Sequence, residues 1–219
     1  MPCAAIIVAS GQSRRMGFDK LAADLKGVSV LRRSVMAFMQ SQEIDHVIVV
    51  CPQDRFDALL TGDFPKPLTR VDGGSERQHS VEAGLKVLQD SDELVAVHDG
   101  ARPLVSVEAI EHCIEEARKH DAAALARPVT ETIKRADENH VSREGVDRSS
   151  LRFTETPQIF KSDLLIRAYA HIAEKGIVAT DEVSVVEALG IGTKLVISPG
   201  PNIKITHQAD IDLATALIP

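Results

Sequence analysis

The sequence predicts an α/β fold: a Rossmann-like, mostly parallel sheet with helices on both faces and a protruding β-hairpin arm. Three observations carry this prediction. Short apolar runs rich in β-branched residues recur along the chain, helical periods lie between them, and one long polar stretch breaks the rhythm.

The strand-like runs are residues 4–9 (AAIIVA), 46–51 (HVIVVC), 94–98 (LVAVH) and 194–198 (KLVIS). Each is nearly continuous in apolar character rather than alternating, as strands covered on both faces should be. Between them, Val81, Gly84, Leu85 and Leu88 form a helical stripe at i, i+3, i+4 and i+7. Val107, Ile110, Ile114 and Ala117 form another, with Ser106 placed to cap it. Residues 129–153 are polar, charged and rich in turn formers. Within them, 130–135 alternates, 136–140 supplies a turn and Val141 starts a return, which reads as a hairpin. An arm with so little core of its own packs on something, most simply a second copy of the chain. The expectation is one domain over residues 1–219, with 129–153 as a dimerisation arm.

Composition narrows the function classes. A formal charge of −7 argues against a nucleic-acid surface, and one Tyr with no Trp leaves no platform for stacking bases. No run approaches the roughly 18 apolar residues of a membrane span. The first sixteen residues put their charges after a short apolar run, unlike a secretory signal or a transit peptide. Cys3, Cys51 and Cys113 have no partner at metal or disulfide spacing and read as buried thiols in a reducing cytoplasm.

Chemistry concentrates in a few segments. The first strand runs into Ala9-Ser10-Gly11 and then into Arg14, Arg15 and Lys20. Small residues after a first strand let backbone approach a ligand, and three cations on an acidic chain suit phosphate oxygens. Neither a P-loop nor a dinucleotide fingerprint is present. The segment Gly73-Gly74-Ser75-Glu76-Arg77-Gln78-His79-Ser80 permits close backbone approach; alone it reads equally as a turn and helix start. His98-Asp99-Gly100-Ala101-Arg102-Pro103 ends a strand with a carboxylate and an anion-clamping arginine, His98 reading as structural rather than as a base. Thr180-Asp181-Glu182 offers a hydroxyl and carboxylates, or else the first turn of a helix. Lys204 sits between apolar residues in a strand-like run.

Taken in order with Thr156-Pro157-Gln158, these six segments resemble the 2-C-methyl-D-erythritol 4-phosphate cytidylyltransferases of the non-mevalonate isoprenoid pathway. The likeness spans nearly the whole chain. It implies a homodimer that joins CTP to methylerythritol phosphate with Mg²⁺, releasing pyrophosphate. Arg15 and Lys20 would stabilise the transition state at the triphosphate; Ala9, Ser10 and Gly11 would line the nucleotide loop; Gly74, Ser75 and Ser80 would face cytosine. Asp99, Arg102 and Thr132 would hold the acceptor's hydroxyls, while Arg148, Thr180 and Lys204 would grip its phosphate. Thr132 and Arg148 would come from the partner subunit. The sequence departs from the family at Ser10, where alanine is usual, and at Asp19, whose charge stands ready to temper Lys20. A ribitol 5-phosphate cytidylyltransferase and a nucleotide-binding regulatory module without turnover are the competing readings. No direct protein ligand to the metal is apparent.

Overall fold

The computed structural model describes residues 1–11 and 17–218. In chain order the elements are β1 (Cys3–Val8), a small hairpin of β2 (Asp24–Leu25) and β3 (Val28–Ser29), α1 (Val30–Gln40), β4 (His46–Val50) and α2 (Gln53–Leu59). There follow β5 (Leu68–Val71), α3 (Arg77–Leu85), β6 (Leu94–Asp99), α4 (Val107–His120) and β7 (Ala122–Pro128). The arm supplies β8 (Ile133–Ala136) and β9 (Ser142–Val146). The chain closes with β10 (Arg152–Lys161), α5 (Ser162–Lys175), α6 (Glu182–Glu187), β11 (Lys194–Ile197) and α7 (Gln208–Leu217).

Seven strands form the central sheet in the order β11-β7-β10-β6-β1-β4-β5. β1 pairs in parallel with β4 and β6, β4 with β5, and β7 with β11. β10 runs antiparallel to both β6 and β7. Both faces of β1 are covered. Cys3, Ala5 and Ile7 pack with α1, α4 and α7, while Ile6 packs with α3, α5 and α6. This two-sided burial is why β1 is apolar at successive positions. Gly84 lets α3 close onto this strand, since a Cβ there would stand 2.7 Å from Ile6 Cγ2.

Some expectations need correction. β11 is an edge strand, and only Val196 is buried; Leu195 and Ile197 remain exposed. Its apolar run therefore covers one face, not two. Residues 202–206, a strand-like run in sequence, form no regular element. They are held instead by single bonds such as Ile205 N–H to Ala101 O at 2.8 Å. The helical stripe beginning at Val81 also ends early, Leu88 lying beyond the last residue of α3.

Ser106 caps α4 as its position suggests, accepting the Ala109 N–H, and acidic and basic residues at opposite ends complement the helix dipole. The arm is a hairpin: Ile133 pairs with Val146 and Arg135 with Glu144 in antiparallel register. Asp137 shapes its turn by accepting the N–H groups of Asn139 and Val141. Nearly all arm side chains are exposed. All three cysteines are buried free thiols, and burial pushes Cys51 up to about 11. Among the described residues no helix is long and apolar enough to cross a membrane.

Candidate active site

Val8 lies level with Val50 on one side and Asp99 on the other, so the loops leaving β1, β4 and β6 meet at one sheet edge. Two cavities open there. The larger, about 630 Å³, is lined among the described residues by Val8, Ser10, Gly11, Gly74, Ser75, Glu76 and Arg77. Its wall depends on absent side chains. A Cβ on Gly73 would lie 2.4 Å from the Ser10 Cβ, and one on Gly74 would lie 2.3 Å from the His79 Cβ. Glycine is thus what lets this segment lie against the β1 loop.

Ser80 sits fully buried beneath the cavity. Its hydroxyl shares a 2.8 Å bond with Ser10 Oγ and accepts the Gly74 N–H at 3.2 Å, tying the two loops together. Ser75 is exposed and bonds His79 Nδ1 at 3.1 Å. Ala9 is buried; its N–H goes to Val50 O and its carbonyl accepts from Arg55, so its backbone is committed internally. Arg55 also engages Asp19 at 2.8 Å, and Asp19 accepts the Leu21 N–H. The carboxylate expected to temper Lys20 is therefore turned to Arg55. Lys20 donates to Ile205 O at 2.7 Å. Arg15 lies outside the described residues.

The second cavity, about 220 Å³, is lined by residues from five segments: Arg77, Asp99, Arg102, Thr154 to Thr156, Gln158, Thr180, Asp181 and Lys204. Asp99 is its electrostatic centre. Arg77 Nε stands 3.2 Å from it, Lys204 Nζ 2.7 Å and Arg102 Nε 3.8 Å. Burial pushes its carboxyl up, but the charges of Arg77, Lys204 and Arg102 outweigh burial and hold it well below the usual carboxylate range. Arg77 lines both cavities and reaches past Asp99 to Glu182, which it grips bidentately at 2.6 and 2.8 Å. Tyr169 donates a third bond to that carboxylate at 2.9 Å.

The Thr-Pro-Gln segment organises these charges. Thr156 Oγ1 accepts the Asp99 N–H at 3.0 Å and donates to His98 Nδ1 at 3.0 Å. His98 Nε2–H donates to Arg102 O at 3.1 Å, which fixes the neutral tautomer. Burial lowers this imidazole to about 4, in keeping with a structural role. Gln158 accepts the N–H groups of Glu182 and Val183, while Asp181 caps α6 through the Ser184 N–H. Asp181 and Glu182 are thus the start of a helix, and Glu182 is also a fully buried ion-pair partner.

The structure brings Ser10, Gly11, Gly74 and Ser75 together at the first cavity and Asp99, Arg102, Thr180 and Lys204 at the second. Thr132 and Arg148 line neither. Both are exposed on the arm, where Arg148 donates to Thr130 O at 2.5 Å. Arg77, Gln158 and Glu182 stand in the segments that the sequence marks but have no role assigned there; Glu155 belongs to the site without having been singled out by sequence. Among the described residues no cluster of three or more His, Cys, Asp or Glu side chains is able to hold a metal.

A glycine-walled cleft beside a cation-rimmed polar cavity, both at the carboxyl edge of an α/β sheet, is an arrangement suited to a nucleotidyltransferase. The family model for 2-C-methyl-D-erythritol 4-phosphate cytidylyltransferase (IspD) matches residues 3–219. A relative of that name from Rhodococcus jostii is 40% identical over 220 residues, covering 99% of this chain and 95% of its own. Another, from Caldanaerobacter subterraneus subsp. tengcongensis, is 38% identical over 221 residues, covering 98% and 97%. The crystal structure of the Thermus thermophilus enzyme superposes with a TM-score of 0.84 at 32% identity, covering 99% and 98%. The chain belongs to the 2-C-methyl-D-erythritol 4-phosphate cytidylyltransferase family.

Proposed function

We propose that this chain transfers the cytidylyl group of CTP to 2-C-methyl-D-erythritol 4-phosphate, giving 4-diphosphocytidyl-2-C-methyl-D-erythritol and pyrophosphate in isoprenoid biosynthesis. The observation that carries the reading is the pair of adjoining cavities that share Arg77, in a chain of this family. CTP takes the larger cleft and the phosphorylated polyol the smaller cavity.

An ionised oxygen of the acceptor phosphate attacks the α-phosphorus in line. The new O–P bond forms as the bond to the β-phosphate oxygen breaks, and pyrophosphate departs. No side chain need supply or take a proton, so the work is positioning and neutralisation. Lys20 and Arg15 act on the charge that grows on the α- and leaving phosphates. Lys204 and Thr180 hold the acceptor phosphate, and Asp99 and Arg102 its hydroxyls. The seam of residues 202–206 supports this division: Lys20 bonds Ile205 O while the adjacent Lys204 bonds Asp99. Magnesium would come with the CTP substrate and supply charge neutralisation at its phosphates, beside Lys20 and Arg15.

The enzyme acts as a cytoplasmic homodimer. Support comes from the arm, whose Thr132 and Arg148 line neither cavity of their own chain and would complete the partner's. Arginine suits this reach because its planar fork meets a phosphate bidentately. Mixing inactive Lys20→Ala chains with inactive Arg148→Ala chains should restore a fraction of wild-type activity, since some heterodimers keep one intact site. No recovery despite demonstrated subunit exchange returns Arg148 to its own chain. The function itself is tested by pyrophosphate release from CTP with methylerythritol phosphate and, separately, with ribitol 5-phosphate. Release with the first acceptor alone is the expected result; preference for ribitol phosphate, or no release with either, sinks the assignment.

A further inference from the structure

Two buried polar atoms in the lining of the smaller cavity, on Glu155 and Arg102, make no hydrogen bond. Glu155, on β10, lines that cavity with its side chain only 4% exposed. Its Oε1 stands 3.2 Å from Arg127 Nε, while Oε2 is buried without a hydrogen-bond partner. Arg102 Nε, 3.8 Å from the Asp99 carboxylate, and Asn202 Oδ1 are likewise buried without a hydrogen bond. The three belong to one neighbourhood, because Arg102 Nη1 donates to Asn202 O at 2.7 Å and Asn202 Nδ2 donates to Thr156 O at 2.8 Å. Burial raises the Glu155 carboxyl, opposed by the charge of Arg102, by Asn202 and by Arg127. A buried polar group left without a hydrogen bond is costly, more so when charged, so two in the lining of one cavity, with a third beside them, point to a ligand that satisfies them.

The chemistry of that ligand follows from the orphans themselves. One is a donor, Arg102 Nε–H, and two are acceptors, Glu155 Oε2 and Asn202 Oδ1. A phosphate oxygen would satisfy the donor and repel the carboxylate. A hydroxyl does both jobs, accepting from the arginine while donating to the carboxylate. We propose that Glu155 is a specificity-determining residue, whose Oε2 accepts a hydrogen bond from an acceptor hydroxyl that also takes the Arg102 Nε–H. Glu155 thereby makes the cavity select a polyol phosphate over a phosphate ester lacking that hydroxyl. The proposal rests on the function above and adds to it the residue that reads the hydroxyl.

The test is a cycle of enzyme variants against acceptors. Wild type, Glu155→Leu and Glu155→Gln are assayed with CTP and either methylerythritol phosphate or each of its singly deoxygenated analogues. Wild-type enzyme should prefer the full acceptor over one analogue by about 10- to 100-fold in kcat/KM, as expected of a site built to bond a hydroxyl. Glu155→Leu should erase most of that preference while leaving the KM for CTP within about twofold. Glu155→Gln, nearly isosteric and still carrying an acceptor oxygen, should keep part of it and controls for folding, together with a thermal melt of each variant. Equal losses by Glu155→Leu on every acceptor, or no loss on any, overturn the proposal and leave Glu155 a structural partner of Arg127. Wild-type turnover of the full acceptor decides the function separately: without it the assigned reaction falls, whereas turnover with unaltered selectivity in both variants removes only the role of Glu155.

Discussion

Between the larger cleft, proposed above for the nucleotide, and the smaller cavity, proposed for the acceptor, the lining changes character, although Arg77 belongs to both. The cleft is made by backbone: Gly73 and Gly74 press against Ser10 and His79, with Ser80 bonded beneath them. The cavity is made by charge. Asp99 gathers Arg77, Arg102 and Lys204, and Glu182 anchors Arg77 from behind. A substitution in the first should act through shape, and one in the second through unpaired charge. The division is sharpest where the two kinds of lining touch, and each prediction below tries to break it.

Arg77→Met should have the largest effect on stability. Among the described residues it leaves Asp99 with two cations and the fully buried Glu182 carboxylate with the Tyr169 hydroxyl. Breaking a buried pair by removing one partner typically costs about 3–5 kcal/mol. Urea unfolding should show a loss of that order, and Arg77→Met/Glu182→Gln should recover part of it. A single variant as stable as wild type would mean that the network is not electrostatically strained by losing its arginine.

Lys20→Ala addresses chemistry rather than folding. An ammonium facing charge that grows in the transition state is worth about 10²–10³ in turnover, or roughly 3–4 kcal/mol. The variant should lose kcat by that factor with a much smaller rise in the KM for CTP. A normal kcat with a large KM change would confine Lys20 to substrate binding.

His98 stands where the charged cavity meets the core, and its titration gives a pH test. Its folded value, lowered to about 4 by burial, lies below the 6.5 of an unfolded histidine. Above 6.5 both states are neutral, so His98 contributes no pH dependence. As pH falls from 6.5 toward 4 the unfolded state takes up the proton first, and stability drops. The full loss for such a shift is about 3 kcal/mol. Urea midpoints taken at about pH 7.5, 5.5 and 4.5 should fall in that window, and His98→Asn should flatten the contribution. Asp99, ionised in both states above about pH 5, leaves the comparison of pH 7.5 with 5.5 to His98 and adds to the loss only at the lowest point.

How legible these two regions were in sequence differs for the same reason. β1, β4 and β6 announce themselves because burial on both faces demands apolar residues throughout. β7 (AAALARP) does not, since alanine is a helix former, and only the fold shows its small side chains buried in the core on both sides of the sheet. β10 carries Pro157 and Glu155, which speak against a central strand until the register shift between Thr154 and Gln158 is seen. Within the site, Gly73, Gly74, Asp99 and Lys204 stand out because glycine pairs and strand-end charges are local signals. The pairing of Arg77 with Glu182 joins residues 105 positions apart, and Glu182 looks like an ordinary first-turn acid. Only the fold shows that it is buried.

The smallest expected effect belongs to the cleft and separates shape from charge most cleanly. Gly73→Ala adds one methyl group to an exposed loop and alters no ion pair. Its Cβ would stand 2.4 Å from Ser10 Cβ and within 3.0 Å of the Ser10 and Ser80 hydroxyl oxygens. One loop must retreat, and the Ser10–Ser80 bond that fixes their spacing must lengthen. Overpacking of this kind costs about 1–3 kcal/mol. Because the displaced atoms line the nucleotide cleft, the cost should appear as a roughly 5- to 100-fold rise in the KM for CTP. The KM for the acceptor should stay near its wild-type value, since the added methyl group removes none of the ion pairs that hold Asp99. Ser10→Gly in the Gly73→Ala background removes the nearest obstructing side chain and should recover part of the affinity. A rise in both KM values, or no rescue by Ser10→Gly, would show that the two cavities move as one body and that the boundary at Arg77 does not insulate them.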